Sequence, residues 1–350
     1  MKDGEFVQIT PEYEIPDMYA REDAAFLEAT RTGEHTRTHI DNILESAKLL
    51  DYLYRSAEEK KEIGFYRRFT VKIGFIDYYL DEWHANNYPE WIKEASGGEM
   101  TVGYAFAETA SPHTGVTTEE WCSRTGITQV GSIEELVEKS DAIVVLSPDN
   151  CERHEMLSRL PLLSGKPVYI DKTFAPDLDT AKRIFALADG NGTPCCSTSA
   201  LRFADEYRGI DTENITAANF WGPMNFEIYS VHQLEPLVML MRCRAESVMM
   251  MTAENYYLLA VRFADGRVGS ISGSYPDAPF AAQLTVKGGN RNINVTSDFF
   301  KNFIKELVVF FRGGALMAPH DETLSVMAIR TAALEAMKTP FVWVPVPEIR

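Results

Sequence analysis

The chain is poor in the features that mark several common protein classes. Five cysteines (Cys122, Cys151, Cys195, Cys196 and Cys243) stand among 350 residues, an odd number with no Cys-x-x-Cys spacing. This speaks against a disulfide framework and for ordinary reduced thiols, as in the cytoplasm. The seven histidines are scattered, with no His-Glu-x-x-His pair and no Cys/His ligand spacing, so no metal site is expected. Lysine and arginine total 34 against 51 aspartate and glutamate, a formal charge of −17. That balance excludes the broad basic face that nucleic acid or an anionic membrane requires, though not a local nucleotide pocket. No apolar run approaches the ~20 residues of a membrane span. The opening Met1-Lys2-Asp3-Gly4-Glu5 lacks the apolar core of a signal peptide.

A soluble globular composition remains, 45% hydrophobic and 24% charged, long enough for about two domains of ~150 residues. From residue 69 to about 200 strands alternate with helices. Val71–Ile76, Thr101–Phe106, Ala142–Leu146, Pro167–Ile170 and Cys195–Ser197 read as strands. Leu80–Ala95, Thr117–Arg124, Ser132–Lys139, Cys151–Leu163 and Leu178–Ala188 read as helices, with capping-box spacing at Thr117/Glu120 and Ser132/Glu135. This alternation predicts parallel βαβ units with right-handed crossovers. Beyond residue 210 strands follow one another: Ile215–Phe220, Asn225–Tyr229, Ser247–Ala253, Tyr256–Phe263, Val268–Ser274, Gln283–Val286 and Ile293–Val295. Two helices, Ser297–Phe311 and Asp321–Met337, precede a last strand near Val342–Val344. The expected fold class is α/β, a Rossmann-type doubly wound parallel sheet plus an α+β domain with an open, mostly antiparallel sheet. The expected divisions are a helical extension over 1–66, a dinucleotide-binding domain over 67–200 and an α+β substrate and oligomerisation domain over 201–350. In the extension, Glu22–Thr32 and Thr38–Ala57 read as helices, the second with Ile40, Ile43, Leu44, Ala47, Leu50 and Tyr54 as an apolar stripe.

Two polar clusters stand out. Gly165-Lys166-Pro167-Val168-Tyr169-Ile170-Asp171-Lys172 is an apolar strand that ends on an acid and a lysine. It projects Lys172 from the carboxyl edge of the sheet, where open α/β folds bind ligands. The second cluster is Tyr229-Ser230-Val231-His232-Gln233-Leu234-Glu235. A lysine and a histidine on separate elements can serve one substrate hydroxyl, one holding it and the other moving its proton. Each has a plainer reading beside it: a strand-end lysine, a satisfied histidine, and in Glu235 a first-turn acid favoured by the helix dipole. Similarly, Phe299, Phe300, Phe303, Phe310 and Phe311 read first as a helix face packed on the sheet or on another subunit, and His84 and His154 as packing or capping residues.

The block from Phe69 to Val344 resembles the Gfo/Idh/MocA oxidoreductases, the family of glucose-fructose oxidoreductase and inositol dehydrogenase. Four places carry the resemblance: Ile73-Gly74-Phe75-Ile76 through His84; Leu146-Ser147-Pro148-Asp149-Asn150 with His154; Gly165-Lys166-Pro167 to Asp171-Lys172-Thr173; and Val231-His232-Gln233-Leu234-Glu235. It implies an NAD(P)-dependent oxidoreductase that acts on a hydroxyl or carbonyl of a sugar, sugar derivative or cyclitol. Lys172, His232 and Glu235 would be catalytic, and Arg202, His232 and Glu235 would hold the substrate. The cofactor, NAD rather than NADP if Glu108 meets its ribose, would lie on Gly74, Phe75, Ile76, Glu108, Ser147, Pro148, Asn150, Asp171 and Lys172. The resemblance also implies a homo-oligomer, with a small carbohydrate-like molecule as partner and neither nucleic acid nor membrane.

The departures from the family pattern are definite. The first turn reads Gly74-Phe75-Ile76-Asp77-Tyr78-Tyr79 where the family carries Gly-x-Gly-x-x-Gly, and Asp77 would repel a diphosphate. Thr173 replaces the usual proline. Phe26–Gly33 and Leu50–Ile63 resemble the family's closing helices, although Pro319–Val346 already resembles such a closing segment. These departures keep open a ligand-binding, regulatory or partner subunit, or sugar chemistry without a redox step.

Overall fold

The computed structural model describes residues 70–349, together with Arg31, Ala47, Leu50, Tyr54, Arg55 and Glu58, which are helical. Residues 1–68 form one compact unit and 69–350 another. The remainder of the two helices read in the extension, and the tail-like segment there, lie outside the described residues.

Within the second unit, the first sheet is built by β1 (Val71–Asp77), β2 (Met100–Ala107), β3 (Thr128–Gln129), β4 (Ala142–Val145), β5 (Val168–Ile170) and β6 (Cys195–Cys196). Its order is β3-β2-β1-β4-β5-β6 and every pairing is parallel. This is the doubly wound order that the alternation of strands and helices predicts. The connections are α1 (Trp83–Ala95), α2 (Thr118–Thr125), α3 (Ile133–Lys139), α4 (His154–Leu162) and α5 (Leu178–Gly190). Central β4 is buried at every residue, so it carries a continuous apolar run rather than an alternating one. The caps follow the sequence. Thr117 and Glu120 form a reciprocal capping box at α2. At α3, Ser132 accepts from the Glu135 N–H, while the Glu135 carboxylate turns back to the Gly131 N–H instead.

The second sheet is built by β7 (Ile215–Pro223), β8 (Ala245–Ala253), β9 (Tyr256–Phe263), β10 (Val268–Ser274), β11 (Ala281–Val286), β12 (Gly289–Asn294) and β13 (Trp343–Pro345). Its order is β12-β11-β7-β10-β9-β8-β13, antiparallel throughout except for the β7–β10 pair. One face packs on α6 (Phe226–Met241) and α8 (His320–Ala336), with Leu234, Leu237, Met250, Leu259, Ile271 and Ile329 in the shared core.

Two expectations need correction here. Asn225–Tyr229, read as a strand, is the start of α6: Met224 turns the chain at φ 68, and the Asn225 side chain accepts from the Ile228 N–H as N-cap. His232 and Glu235 therefore sit inside a helix rather than at its first turn, and Pro236 is interior as well. Pro236 cannot donate to the His232 carbonyl, yet α6 persists because it is buried almost all round. Second, α7 (Phe299–Phe311) lies beyond residue 200 but packs into the core of the first sheet, with Phe303, Leu307 and Phe310 against Tyr88, Ile92 and Tyr169. The apolar stripe of α7 thus completes a layer begun more than 200 residues earlier.

Gly74 sits in the interior of β1, paired with Ile143 of β4. A Cβ there would overlap the Leu136 side chain and the Ser140 hydroxyl. Gly74→Ala should cost about 1–3 kcal/mol, the usual range for overpacking a filled core. Urea denaturation checks this; a midpoint equal to wild type would show that α3 yields without cost.

Candidate active site

Strand register builds the site. In register, Ile76 of β1 pairs with Val145 of β4, and Val145 with Ile170 of β5. The residues next along the chain, Asp77 at the end of β1 with Tyr78, Leu146-Ser147 after β4 and Asp171-Lys172 after β5, therefore lie side by side at the carboxyl edge. The strand order reverses between β1 and β4, which is where open α/β sheets form a ligand crevice. Across that edge stands α6, carrying Tyr229 and His232 three residues apart on one face.

The crevice is a cavity of about 530 Å³, within the span typical of small-molecule sites. Lys172 and His232 both line it, as do His84, His113, Pro148, Glu82 and Asp149. Aromatic rings form a continuous wall: Trp83 to Phe300 at 4.6 Å between centroids, Phe300 to Phe299 at 5.0 Å, Phe299 to Phe280 at 6.0 Å, Phe280 to His232 at 5.8 Å and His232 to Tyr229 at 5.2 Å.

The two basic groups are held differently. Lys172 reaches the Pro148 carbonyl at 3.4 Å, and the Lys172–Thr173 peptide is cis. His232 Nδ1 meets the Ser199 hydroxyl at 2.7 Å. That hydroxyl also accepts the Leu201 N–H, and keeps its proton and a second lone pair for Nδ1. When it donates to Nδ1 the neutral imidazole carries its proton on Nε2, the nitrogen left for a ligand; when it accepts from Nδ1, Nε2 is a free acceptor. Burial pushes the His232 pKa well down, and Lys172 and His84 push it further, so the ring is neutral at physiological pH. His84 behaves oppositely. Burial lowers its pKa, but Asp171 and the bonded Glu82 outweigh it and hold the ring above its ordinary value. Its Nδ1 stands 2.9 Å from Glu82 and 3.9 Å from Asp171.

The remaining expected residues fall in several places. Pro148 lines the cavity. Asp171 lies buried behind it, accepting from the Tyr169 hydroxyl at 3.1 Å. Ser147, at φ 71, donates to buried Asp77 at 3.0 Å and accepts from the Tyr78 N–H, so it ties two loops together. Asn150 contacts Glu152. Gly74, Phe75 and Ile76 are strand interior rather than turn, because β1 runs on to Asp77. Glu108 is taken up by Arg153, whose Nε lies 2.9 Å away. Glu235 and Arg202 do not line the cavity. Glu235 accepts from Thr198 at 2.6 Å and from Arg202 at 3.2 Å, and Arg202 also holds Glu322 at 2.6 Å, a cross-link of α6 and α8 to the segment after β6. His154 is fully buried between the Leu146 and Phe174 carbonyls. Tyr79, Trp83, His113, Asp149, Tyr229, Phe280, Phe299 and Phe300 line the cavity without having been singled out for it. Tyr229 had a legible signal, since it stands three residues before His232 once that segment is read as helix. No group of side chains that could hold a metal ion occurs among the described residues, and no helix among them is long and apolar enough to cross a membrane.

No family model matches this chain, and no curated protein matches it. Solved structures do. GenD2 from gentamicin A biosynthesis, in complex with NAD, aligns at TM-score 0.67 and 11% identity over 82% of this chain and 100% of its own. The myo-inositol dehydrogenase of Lactobacillus casei, with NAD(H) and myo-inositol, aligns at 0.65 and 13% over 80% and 97%. The WlbA dehydrogenase of Bordetella pertussis, with NADH and UDP-GlcNAcA, aligns at 0.60 and 16% over 80% and 98%. The likeness is one of fold: this chain shares the two-sheet architecture of these dehydrogenases.

The residues at the first turn do not fit the cofactor of those proteins. Counted from the last residue of β1, a Gly-x-G-x-x-Gly frame falls on Asp77, Tyr79 and Glu82. Asp77 is 1% exposed, and one of its carboxyl oxygens has no partner. Burial first, and Glu82 second, push its pKa well above the ordinary carboxylate range. The folded protein thus keeps a proton that the unfolded chain releases. Its contribution is neutral below the ordinary carboxylate pKa, turns unfavourable as pH rises above it, and levels off once the raised pKa is passed. Asp77→Asn should therefore gain on wild type with rising pH, reaching about 1–3 kcal/mol at pH 8. Urea titrations from pH 4 to 8 measure that difference; a flat one, or one favouring wild type at pH 8, refutes it. For Arg202→Met, thermal and urea unfolding should show a loss of about 3 kcal/mol, because Glu235 is left buried without its cation. An unchanged midpoint would place the pair outside the protein's stability.

Proposed function

We propose that the cleft takes a carbohydrate-like ring, a sugar, sugar derivative or cyclitol, and that Lys172 and His232 work on one of its hydroxyl or carbonyl groups. The observation that carries this reading is the meeting of Lys172, from the end of β5, and His232, from α6, on one cavity whose walls are half aromatic and half polar. The rings of Trp83, Phe300 and Phe280 suit the C–H face of a pyranose or cyclohexane ring, while Glu82, His113 and Asp149 suit its hydroxyls. The fold likeness to sugar and cyclitol dehydrogenases supports the same substrate class and an oxidoreductase ancestry.

The chemistry these residues supply is the proton half of such a reaction. In the tautomer with its proton on Nε2, neutral His232 hydrogen-bonds a hydroxyl or carbonyl oxygen of the ligand, and Lys172 Nζ stabilises negative charge as it develops there. In the tautomer with its proton on Nδ1, donated to the Ser199 hydroxyl, Nε2 takes the proton of a ligand hydroxyl and the ring becomes imidazolium. Tyr229, edge-on to His232, and Phe280 hold the imidazole in place. Glu235 and Arg202 act at one remove, fixing α6 against the segment that carries Ser199. Reduced thiols and a homo-oligomer stay with this reading as proposals. The outer face of the second sheet, with Trp221 and Tyr256 exposed, is the surface such an association would use.

Calorimetric titration with a panel including myo-inositol, D-glucose and a UDP-linked amino sugar tests the reading. At least one member should bind, and His232→Ala and Lys172→Ala should each weaken it by about 10-fold, the worth of one hydrogen bond to a charged or polar group. The proposal fails if no ring binds, or if both variants bind as wild type does.

A further inference from the structure

A dinucleotide in a doubly wound sheet rests its diphosphate on the turn between β1 and the first helix. This needs a bare backbone at the second glycine and free N–H groups at the helix start. Neither is available here. Tyr79 stands at the second position, its ring wedged edge-on between Tyr78 at 6.0 Å and His113 at 5.7 Å. At the third position Glu82 is the N-cap of α1. One carboxylate oxygen accepts the His84 N–H at 2.8 Å, and the other accepts the Ala85 N–H. The helix start therefore already binds an anion, one supplied by the chain itself. Asp77, buried at the first position of the frame, puts a side chain where the pattern carries a glycine.

The adenosine side is altered in step. Glu108, just after β2, is the acid that would receive a ribose hydroxyl, but it is paired with Arg153. Arg153 belongs to the turn after β4, and its guanidinium lies over the Tyr78 ring at 5.2 Å from the centroid. The Arg153–Glu108 pair thus bridges the ends of β2 and β4 across the crevice in front of β1.

We infer that the cleft binds its ring ligand without a dinucleotide: the Glu82 carboxylate stands where the diphosphate would, and the Arg153–Glu108 pair closes the adenosine side. The inference rests on the ring-site reading only for the ligand's identity. With no dinucleotide in this crevice to take a hydride, the ring carbon is not oxidised or reduced by hydride transfer to one. The chain then moves protons or presents the ring to a partner.

The test is equilibrium binding of NADH and NADPH to the full-length wild-type chain, read by energy transfer from tryptophan and by calorimetry. No binding tighter than about 1 mM is expected; a micromolar dissociation constant for either overturns the inference. A Tyr79→Gly/Glu82→Ser variant opens the turn while keeping a helix cap. Once near-ultraviolet circular dichroism shows it folded, it should bind NADH at least 10-fold more tightly than wild type. No gain in the folded variant overturns the assignment to this turn, and should the variant not fold, the wild-type measurement decides alone. Myo-inositol and D-glucose titrated in parallel separate the two readings. NADH binding refutes this inference and leaves the ring site standing, whereas absence of both NADH and ring binding refutes the ring site and leaves this inference standing.

Discussion

Three parallel strands ending in register form the constraint on which the site depends. Because β1, β4 and β5 stop level with one another, their next residues form a single shelf, and whatever chemistry those residues carry becomes shared. Lys172 is placed by this shelf and not by its own hydrogen bonds, of which the Pro148 carbonyl at 3.4 Å is a long one. His232 is placed by α6, whose burial against the second sheet is nearly complete. The active-site geometry is thus a consequence of two separate cores, and the Arg202–Glu235 pair is one of the devices that hold them in a fixed relation.

On and around this shelf stand four carboxyl groups, Asp77, Glu82, Asp171 and Glu235, and each is accommodated in a different physical way. Asp77 has no cation and is pushed toward its neutral form. Glu82 is satisfied by backbone N–H groups at a helix start, where the dipole favours an anion. Asp171 faces His84, which its charge helps keep protonated. Glu235 is pushed up by burial and held down by Arg202. These solutions are linked through His84: the two acids that raise its pKa favour the charge that, after burial and Lys172, lowers the affinity of His232 for a proton. Burial is the first cause of the neutral imidazole that faces the cleft, and the cluster adds to it.

Much of this architecture was legible in the sequence because it rests on periodicity. The parallel character of the first sheet, its strands other than β3 and most strands of the second sheet follow from apolar runs and what separates them, and the Asp171-Lys172 pair after β5 announced its position. What was not legible depended on competition between local signals. Asn225–Tyr229 has the β-branched and aromatic texture of a strand, yet an N-cap and the burial of eleven of the next twelve residues draw it into α6. Gly74 looked like the opening of a phosphate turn because it follows a short apolar run; β1 continues three residues further, and the glycine instead makes room for Leu136. Phe299 and Phe300 belong to a helix whose other phenylalanines are buried, and no one-dimensional pattern tells the residues at its exposed margin that they will line a cavity. Arg202 and Glu235 form a pair across 33 positions that no spacing rule connects.

The altered turn is best understood as one substitution in several parts. A carboxylate at the third glycine position alone would leave α1 capped but would still allow a diphosphate to compete for the same N–H groups. An aspartate at the first position alone would be a buried charge without a purpose. Together they are mutually consistent: burial first and Glu82 second push Asp77 toward its neutral form, one Asp77 oxygen accepts from Ser147 and from the Tyr78 N–H, and the Tyr78 ring supports the Arg153 guanidinium that neutralises Glu108. Each part removes one contact that a dinucleotide would use and replaces it with a contact internal to the chain. A turn that had merely lost its glycines would be expected to leave orphaned donors at the helix start. Here those donors are bonded, so the crevice is rebuilt around its own side chains while Lys172 and His232 keep their places beside it.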